Sequence, residues 1–268
     1  MTDARAPLPS HVGGLAALPD SARDTLNRGL RALGLSDVAP DRRQALEDHL
    51  RLLLAWNSAI NLTAIRDPEA AVRLHLLDSL SAIPLLRSHG IESFIDLGSG
   101  GGFPGLPLAI VLPAERALLV DSVAKKARFV RTVAAALDLP QVEVMPDRIE
   151  RLADDPGHRA RWPAVLARAV GALPELVELA LPLLAPGGLL IAWKRLPIEQ
   201  ELAAAEPAVE ALGGGPPVVV PAEASGLAFG SASGSAGLSG HVLVAIEKVR
   251  SSPPGYPRDP AERRRRPW

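Results

Sequence analysis

A carboxylate and a glycine cluster stand together at Ile95-Asp96-Leu97-Gly98-Ser99-Gly100-Gly101-Gly102-Phe103-Pro104-Gly105. A short apolar run feeds a glycine turn that feeds a helix. Glycine backbone can take positive φ and lets a ligand approach closely, and the helix behind the turn presents free amides. Asp121 follows Gly98 by 23 residues, at the end of the next apolar run. A carboxylate there is placed to accept hydrogen bonds from a ribose diol. The pair therefore points to an adenosine-containing ligand. A dinucleotide fingerprint wants Gly-x-Gly-x-x-Gly with its third glycine inside the helix. Here the glycines fall at 98, 100, 102 and 105, and Asp96 opens the turn. An acid beside the turn repels a pyrophosphate and suits a cation such as the amine of a methionyl group. The pattern favours S-adenosylmethionine over NAD.

Other residue types narrow the chemistry. The 268 residues include no cysteine, which excludes disulfides, thiolate metal sites and a cysteine nucleophile. The six histidines are scattered without metal-ligand spacing, so no metal is expected. Twenty-nine basic and 30 acidic side chains give a net charge of −1, which argues against wholesale wrapping of nucleic acid and leaves room for local basic patches. His75 and Asp78 stand three apart and share a helical face. Asn61 and Thr63 fall between two helices, where they border a site or stitch a turn. Lys125, Lys126, Arg128 and Arg131 form a basic stretch, either a solvated face or a phosphate track. With one tyrosine and four phenylalanines, a base-stacking platform for single strands has little support. No uncharged apolar stretch is long enough for a membrane span, and no secretory signal is visible, so a cytoplasmic protein is expected.

The elements that must position these groups follow from periodicity. Residues 1–19 are rich in Pro, Gly and Ala and are expected to be a disordered arm. Asp20 is expected to cap a helix whose apolar face is Ala22, Leu26, Leu30 and Leu33, ended by Gly34. A second helix is expected over 41–59, with Leu46, Leu50, Leu53 and Trp56 on one face. Asp67-Pro68 starts a third, carrying Val72, Leu76, Leu80 and Ile83 and ending near Arg87. Residues 20–90 thus read as a helical layer. From 91 to 250 the texture changes. Short apolar runs at Phe94–Leu97, Ala117–Asp121, Val142–Met145, Ala164–Ala167 and Leu189–Trp193 alternate with helical stretches, which indicates a parallel α/β sheet. The helix after Asp121 is expected to bury Val123, Ala127, Val130, Ala134 and Leu137, and Leu173–Leu184 forms another amphipathic piece. Val218–Val220 and His241–Ile246 are two late strands. The Gly/Ser/Ala-rich stretch within 213–240 reads as a flexible excursion. Residues 251–268 form a basic tail with Arg263–Arg266.

Three blocks carry a family resemblance: Trp56-Asn57 with Ile60-Asn61-Leu62-Thr63-Ala64-Ile65-Arg66-Asp67-Pro68, then His75 with Asp78-Ser79, then Asp96 through Gly105. Further matches are Asp121-Ser122 with Lys125-Lys126, Arg148-Ile149-Glu150, Arg168-Ala169, Lys194 and Tyr256-Pro257-Arg258. Together they resemble the RsmG family, also called glucose-inhibited division protein B, of small-subunit rRNA guanine-N7 methyltransferases. The resemblance spans roughly residues 25–258. It implies a class I S-adenosylmethionine-dependent methyltransferase fold, Rossmann-like, with a mostly parallel seven-stranded sheet and an N-terminal helical layer. It implies S-adenosylmethionine held by Asp96, Gly98, Gly100 and Phe103 at the turn, with Asp121 on the ribose. Ile149, Glu150 and Arg168 complete the expected cofactor set. Asn61, His75, Asp78, Lys125, Lys194 and Arg258 are the expected RNA-facing rim. The implied substrate is guanine 527 of bacterial 16S rRNA, in standard rRNA numbering, presented as naked rRNA, small subunit or assembly intermediate, with the enzyme a monomer. Three departures fall mainly on the RNA side. Leu74 precedes His75 where relatives carry a basic residue, Arg195 follows Lys194 where they carry glycine, and the arginine-rich ending replaces theirs.

Guanine N7 is chemically consistent with these residues. It has an in-plane lone pair and no proton, so attack on a sulfonium methyl needs no catalytic base. Proximity and alignment can supply most of the rate. A C5-pyrimidine methyltransferase normally needs the cysteine this chain lacks. The Asn/Asp-Pro-Pro-aromatic run common in exocyclic-amine methyltransferases is replaced by Ala167-Arg168-Ala169-Val170. Two other readings stay open: an NAD-dependent oxidoreductase, and a non-catalytic ribosome-assembly protein that binds S-adenosylmethionine.

Overall fold

The computed structural model describes residues 8–223 and 237–268. Before the first strand the chain forms α1 (Asp20–Ala32), α2 (Pro40–Asn57), α3 (Pro68–Ala71), a π-helical turn (Val72–Leu77), α4 (Asp78–Leu80) and α5 (Ile83–Ser88). In α1 the expected apolar face is buried, and Gly34 follows with φ +73°. The start differs from expectation. Pro19 is the N-cap and Asp20 is the first helical residue, acting through its charge near the helix N-terminus rather than through a side-chain cap. Leu46, Leu50, Leu53 and Trp56 line the buried face of α2. That helix stops at Asn57, before the expected end. The Asn57 Oδ1 accepts from the amides of Leu62 and Thr63 at 2.9 and 3.0 Å, and its Nδ2 donates to the Thr63 carbonyl at 2.9 Å. Asp67 does cap α3, accepting from the Ala70 amide at 2.7 Å. The single helix expected from there to Arg87 is instead broken by the π turn and again between Leu80 and Ile83.

The remaining elements are β1 (Ser93–Leu97), α6 (Gly105–Val111), β2 (Arg116–Val120), α7 (Ala124–Ala136), β3 (Val142–Met145), α8 (Ile149–Asp154), β4 (Trp162–Arg168), α9 (Leu173–Ala180), β5 (Leu184–Arg195), α10 (Glu199–Leu212), β6 (Val218–Pro221), β7 (His241–Glu247) and α11 (Pro260–Arg265). The seven strands form one sheet in the order β3-β2-β1-β4-β5-β7-β6, and only β7 runs against its neighbours. The turn expected to lead into β5 is a bulge within it, because Trp162 pairs with Leu184 while Ala164 pairs with Leu189. Alternation along the strands feeds two cores. Phe94, Leu119, Leu166 and Ile191 pack against the N-terminal helices with α6 and α7. Ile95, Leu118, Val165 and Leu190 pack under α9 and α10. Both faces are covered, as a parallel sheet requires. On α7 the buried face is Ala127, Phe129, Val130, Val133 and Ala134. Val123 is 45 % exposed, because it is the N-cap outside the helix.

Both chain ends depart from expectation. Residues 8–19 are strapped along α2. Trp56 Nε1 donates to the Pro9 carbonyl at 2.7 Å, and Arg51 donates to the carbonyls of Val12, Leu15 and Ala16. The rest of the expected arm, residues 1–7, lies outside the described residues. The basic tail is docked, not free. Arg258 pairs with the buried Glu178, Arg263 pairs with Glu150, and Trp268 Nε1 donates to Glu178 at 2.5 Å. Of the excursion expected within 213–240, residues 213–223 join the structure through a Gly214–Lys248 bridge and β6, and residues 224–236 lie outside the described residues. Among the described residues no helix is long and apolar enough to cross a membrane.

Candidate active site

The glycine turn leaves β1 and is pinned to its neighbour. The amides of Gly98 and Ser99 both donate to the Val120 carbonyl, at 2.8 and 3.0 Å. Asp96 shares the face of Phe94 and so points under the turn, where its Oδ2 accepts from the Gly105 amide at 2.9 Å. Its Oδ1 is buried and has no hydrogen-bond partner among the described residues, and burial raises its pKa to about 7. Asp121 ties the turn from behind, accepting from the Gly100 amide at 2.9 Å and the Val123 amide at 2.8 Å. Gly100 has φ +55°, and a Cβ there would meet nothing nearer than the Gly98 carbonyl at 3.8 Å. This part of the wall is bare backbone.

A cavity of about 550 Å³ opens beside the turn, at the carboxyl ends of β1, β4 and β5. Phe103 forms one side. Its ring is stacked between His49, at 4.5 Å between centroids, and His75, at 4.7 Å. Both imidazoles are held down to pKa values of about 4, chiefly by burial, so both are neutral near pH 7. His49 Nε2 is 2.9 Å from the Gly101 carbonyl, and His75 Nε2 is 2.7 Å from Thr63 Oγ1. The Arg168 guanidinium lies 5.1 Å from the Phe103 ring centre. Its NH1 donates to the Leu74 carbonyl and to Asp78 Oδ2, both at 3.0 Å. The π turn brings Leu74, His75 and Asp78 to this wall together. Trp193 Nε1 donates to the Asp78 carbonyl at 2.7 Å, and His241 Nδ1 is 2.9 Å from Asp78 Oδ1. Lys194 is tied to Glu201 and to the Gly171 carbonyl, whereas Lys126 and Arg195 also line the cavity and form no ion pair among the described residues.

The family model of rRNA small subunit methyltransferase G matches residues 42–224. The chain belongs to the rRNA small subunit methyltransferase G family. A member from Deinococcus radiodurans, named Ribosomal RNA small subunit methyltransferase G, is 42 % identical across 90 % of this chain and 91 % of its own. One of the same name from a Roseiflexus species is 41 % identical across 91 % of this chain and 99 % of its own. Among solved structures, an O-methyltransferase from Bacillus cereus in complex with SAH superposes with a TM-score of 0.53 at 18 % identity, covering 80 % of this chain and 95 % of that one. The fold is that of class I methyltransferases, as the resemblance implied.

For a methyltransferase G chain, the residues present fit S-adenosylmethionine. The bare wall at Gly100 permits close approach, Phe103 offers an apolar ring edge, and Arg168 offers a cation to a carboxylate. Of the expected site residues, Gly98, Gly100, Phe103, Arg168, His75, Asp78 and Lys194 share the cavity. Asp96 lies beneath the turn and Asp121 behind it. Ile149 packs on the second core, and Glu150 accepts from Arg263 at 2.7 Å. Burial is the largest influence and raises the Glu150 pKa, but the bond from Arg263, a backbone amide and the charges of Arg263 and Arg148 together hold the carboxyl below its ordinary value.

Three expected rim residues are off the wall. Arg258 is 80 residues along the chain from Glu178 but donates to both of its oxygens, which removes it from the rim. Lys125 is exposed, and Lys126, about 100° further round α7, lines the cavity in its place. Asn61 is exposed beside the turn that Asn57 holds. Sequence reasoning missed His49, His241 and Trp193 as parts of the site. His49 falls on the buried face of α2, one residue before Leu50, and nothing in the helical period separates it from core. His241 opens a strand 163 residues away from Asp78.

Proposed function

We propose that this chain transfers the methyl group of S-adenosylmethionine to N7 of guanine 527 in bacterial 16S rRNA, working as a cytoplasmic monomer on the small subunit or an assembly intermediate. The observation that carries the reading is the state of the titratable groups on the cavity wall. Among the described residues its one carboxylate, Asp78, is bound on both oxygens, and His75 is neutral and engaged at Nε2. N7 carries no proton, so its methylation asks for no base, and the His241 ring on the same wall meets Asp78 through Nδ1. Family membership supports rRNA as the acceptor.

When bound, S-adenosylmethionine supplies an electrophilic methyl on a positive sulfur. The chain's own part is alignment. The Gly98–Gly101 backbone admits the donor, Phe103 is fixed by its two flanking imidazoles, and Arg168 is fixed by Asp78 and Leu74. The Gly98–Gly101 backbone, Phe103 and Arg168 would hold the cofactor with its methyl offered to the guanine lone pair, the S–C electron pair leaving on sulfur. Lys126 and Arg195 attract backbone phosphate to the mouth. Calorimetry with S-adenosylmethionine and NAD, followed by labelled-methyl transfer to small subunits from cells lacking the gene, tests the reading. Binding of S-adenosylmethionine with label entering 16S rRNA is expected. Binding of NAD alone would favour the oxidoreductase, and tight cofactor binding with no label on any small-subunit RNA would favour the assembly protein.

A further inference from the structure

The last strand contributes a group to the cavity that the reaction as described above does not use. β7 runs against its neighbours, so it begins where the parallel strands end. His241, its first residue, pairs in register with Arg195 at the end of β5 and lands on the cavity wall. The backbone of His241 is pinned on both sides: its amide donates to the Leu238 carbonyl, and its carbonyl accepts from the Ala222 amide. Its ring reaches Asp78 Oδ1 at 2.9 Å while Arg168 NH1 holds Asp78 Oδ2 at 3.0 Å. The three side chains are 12 %, 5 % and 15 % exposed. A carboxylate that is nearly buried demands partners on both oxygens. Without the imidazole, Asp78 would have to turn toward Arg168 or toward water, and either move changes where the guanidinium points.

We infer that His241 is a positioning residue for methyl transfer, acting through Asp78 to fix Arg168 in the cavity. Arg168 has five N–H donors. NH1 spends both of its hydrogens on Leu74 and Asp78, and NH2 approaches His75 Nδ1 at 3.4 Å. Among the described residues the Nε donor has no partner. The guanidinium is thus anchored firmly at NH1 and more loosely at NH2, with its Nε hydrogen left for a ligand. Displacement of such a group by an ångström costs on the order of a hundredfold in rate. The inference rests on the proposed methyltransferase activity, and its test separates the two.

The variants are His241→Leu, His241→Asn and His241→Gln. An asparagine amide reproduces the Nδ1 position of histidine, whereas glutamine reproduces Nε2. Methyl transfer to small subunits by His241→Leu should fall at least about tenfold in kcat/KM. His241→Asn should recover to within about threefold of wild type, and His241→Gln should not. In an Arg168→Ala background, His241→Leu should cost nothing further, because coupled residues are not additive. A second readout needs no turnover: the Arg168 Nε–Hε NMR signal, assigned by its loss in Arg168→Lys, should be sharp in wild type and His241→Asn and broadened in His241→Leu. Equal activity in all three variants, losses that multiply in the Arg168→Ala background, or an unchanged Arg168 signal in a folded His241→Leu would overturn the inference. An inactive wild type would refute the methyltransferase reading alone, and the NMR signal would still decide the role of His241.

Discussion

Two neutral imidazoles clamp Phe103, and their neutrality has a measurable consequence. His49 binds a proton only near pH 4 in the folded chain but near 6.5 in the unfolded one. As the pH falls through that window the unfolded chain holds more protons, so stability is lost on acidification and is fully present above about 6.5. Each such imidazole carries on the order of 1 to 3 kcal/mol across the window. Glutamine can keep the Nε2 bond to Gly101 without titrating. Urea unfolding at pH 7 and pH 5 should therefore show a smaller acid loss in His49→Gln than in wild type, and equal losses would contradict the buried, depressed imidazole. Gly100 makes a second point at this scale. A Cβ there projects into open space, so Gly100→Ala should fold, at a cost of about 1 to 2 kcal/mol for its positive φ, yet weaken S-adenosylmethionine binding at least about tenfold. Calorimetry showing unchanged affinity would place the cofactor elsewhere.

At the scale of elements, the docked tail is held by one buried charge. Glu178 is fully buried, and Arg258 and Trp268 are its partners. Burial is the largest influence and raises the Glu178 pKa, but the bonds from Arg258 and Trp268 and the Arg258 charge together keep it below the ordinary range. Arg258→Ala would strand that carboxylate and should lower stability by about 3 to 5 kcal/mol, read by denaturant midpoint. A loss below about 1 kcal/mol would mean the tail contributes little. These contacts also mark what could be seen in the sequence. The faces of α1 and α2 repeat with the helical period, and the strand runs and the glycine turn are local, so all were legible. The π turn was not, because adjacent Leu76 and Leu77 are both apolar and both buried, so the run keeps a helical spacing across the extra residue. Nor was the pairing of Arg258 with Glu178 or of His241 with Asp78, since each joins segments far apart in sequence. The resemblance supplied Arg168 and His75. It placed Arg258 on the rim, whereas the structure pairs it with Glu178 away from the cavity wall.

Across the whole molecule, the topology collects the site at one end of the sheet. Parallel strands deliver Gly98, Arg168 and Lys194 there from their carboxyl ends, the reversed β7 delivers His241 from its beginning, and the helical layer closes the side with His49, His75 and Asp78. The net charge of −1 is spread over the chain, yet among the described residues the cavity wall carries Lys126, Arg168, Lys194 and Arg195 against one carboxylate, Asp78. RNA affinity should therefore weaken with salt, and each of Lys126→Ala and Arg195→Ala should reduce the slope of log affinity against log salt by about one. A filter-binding series in which neither variant changes the slope would remove them from the RNA contact. The most direct test of the central claim maps the methylated atom. Small subunits from cells lacking the gene are methylated by the purified protein, and their RNA is treated with borohydride and aniline, which cleave the chain at N7-methylguanine. One new cleavage, at guanine 527 of 16S rRNA, is the predicted result. Methyl label incorporated without any cleavage would contradict N7 as the acceptor.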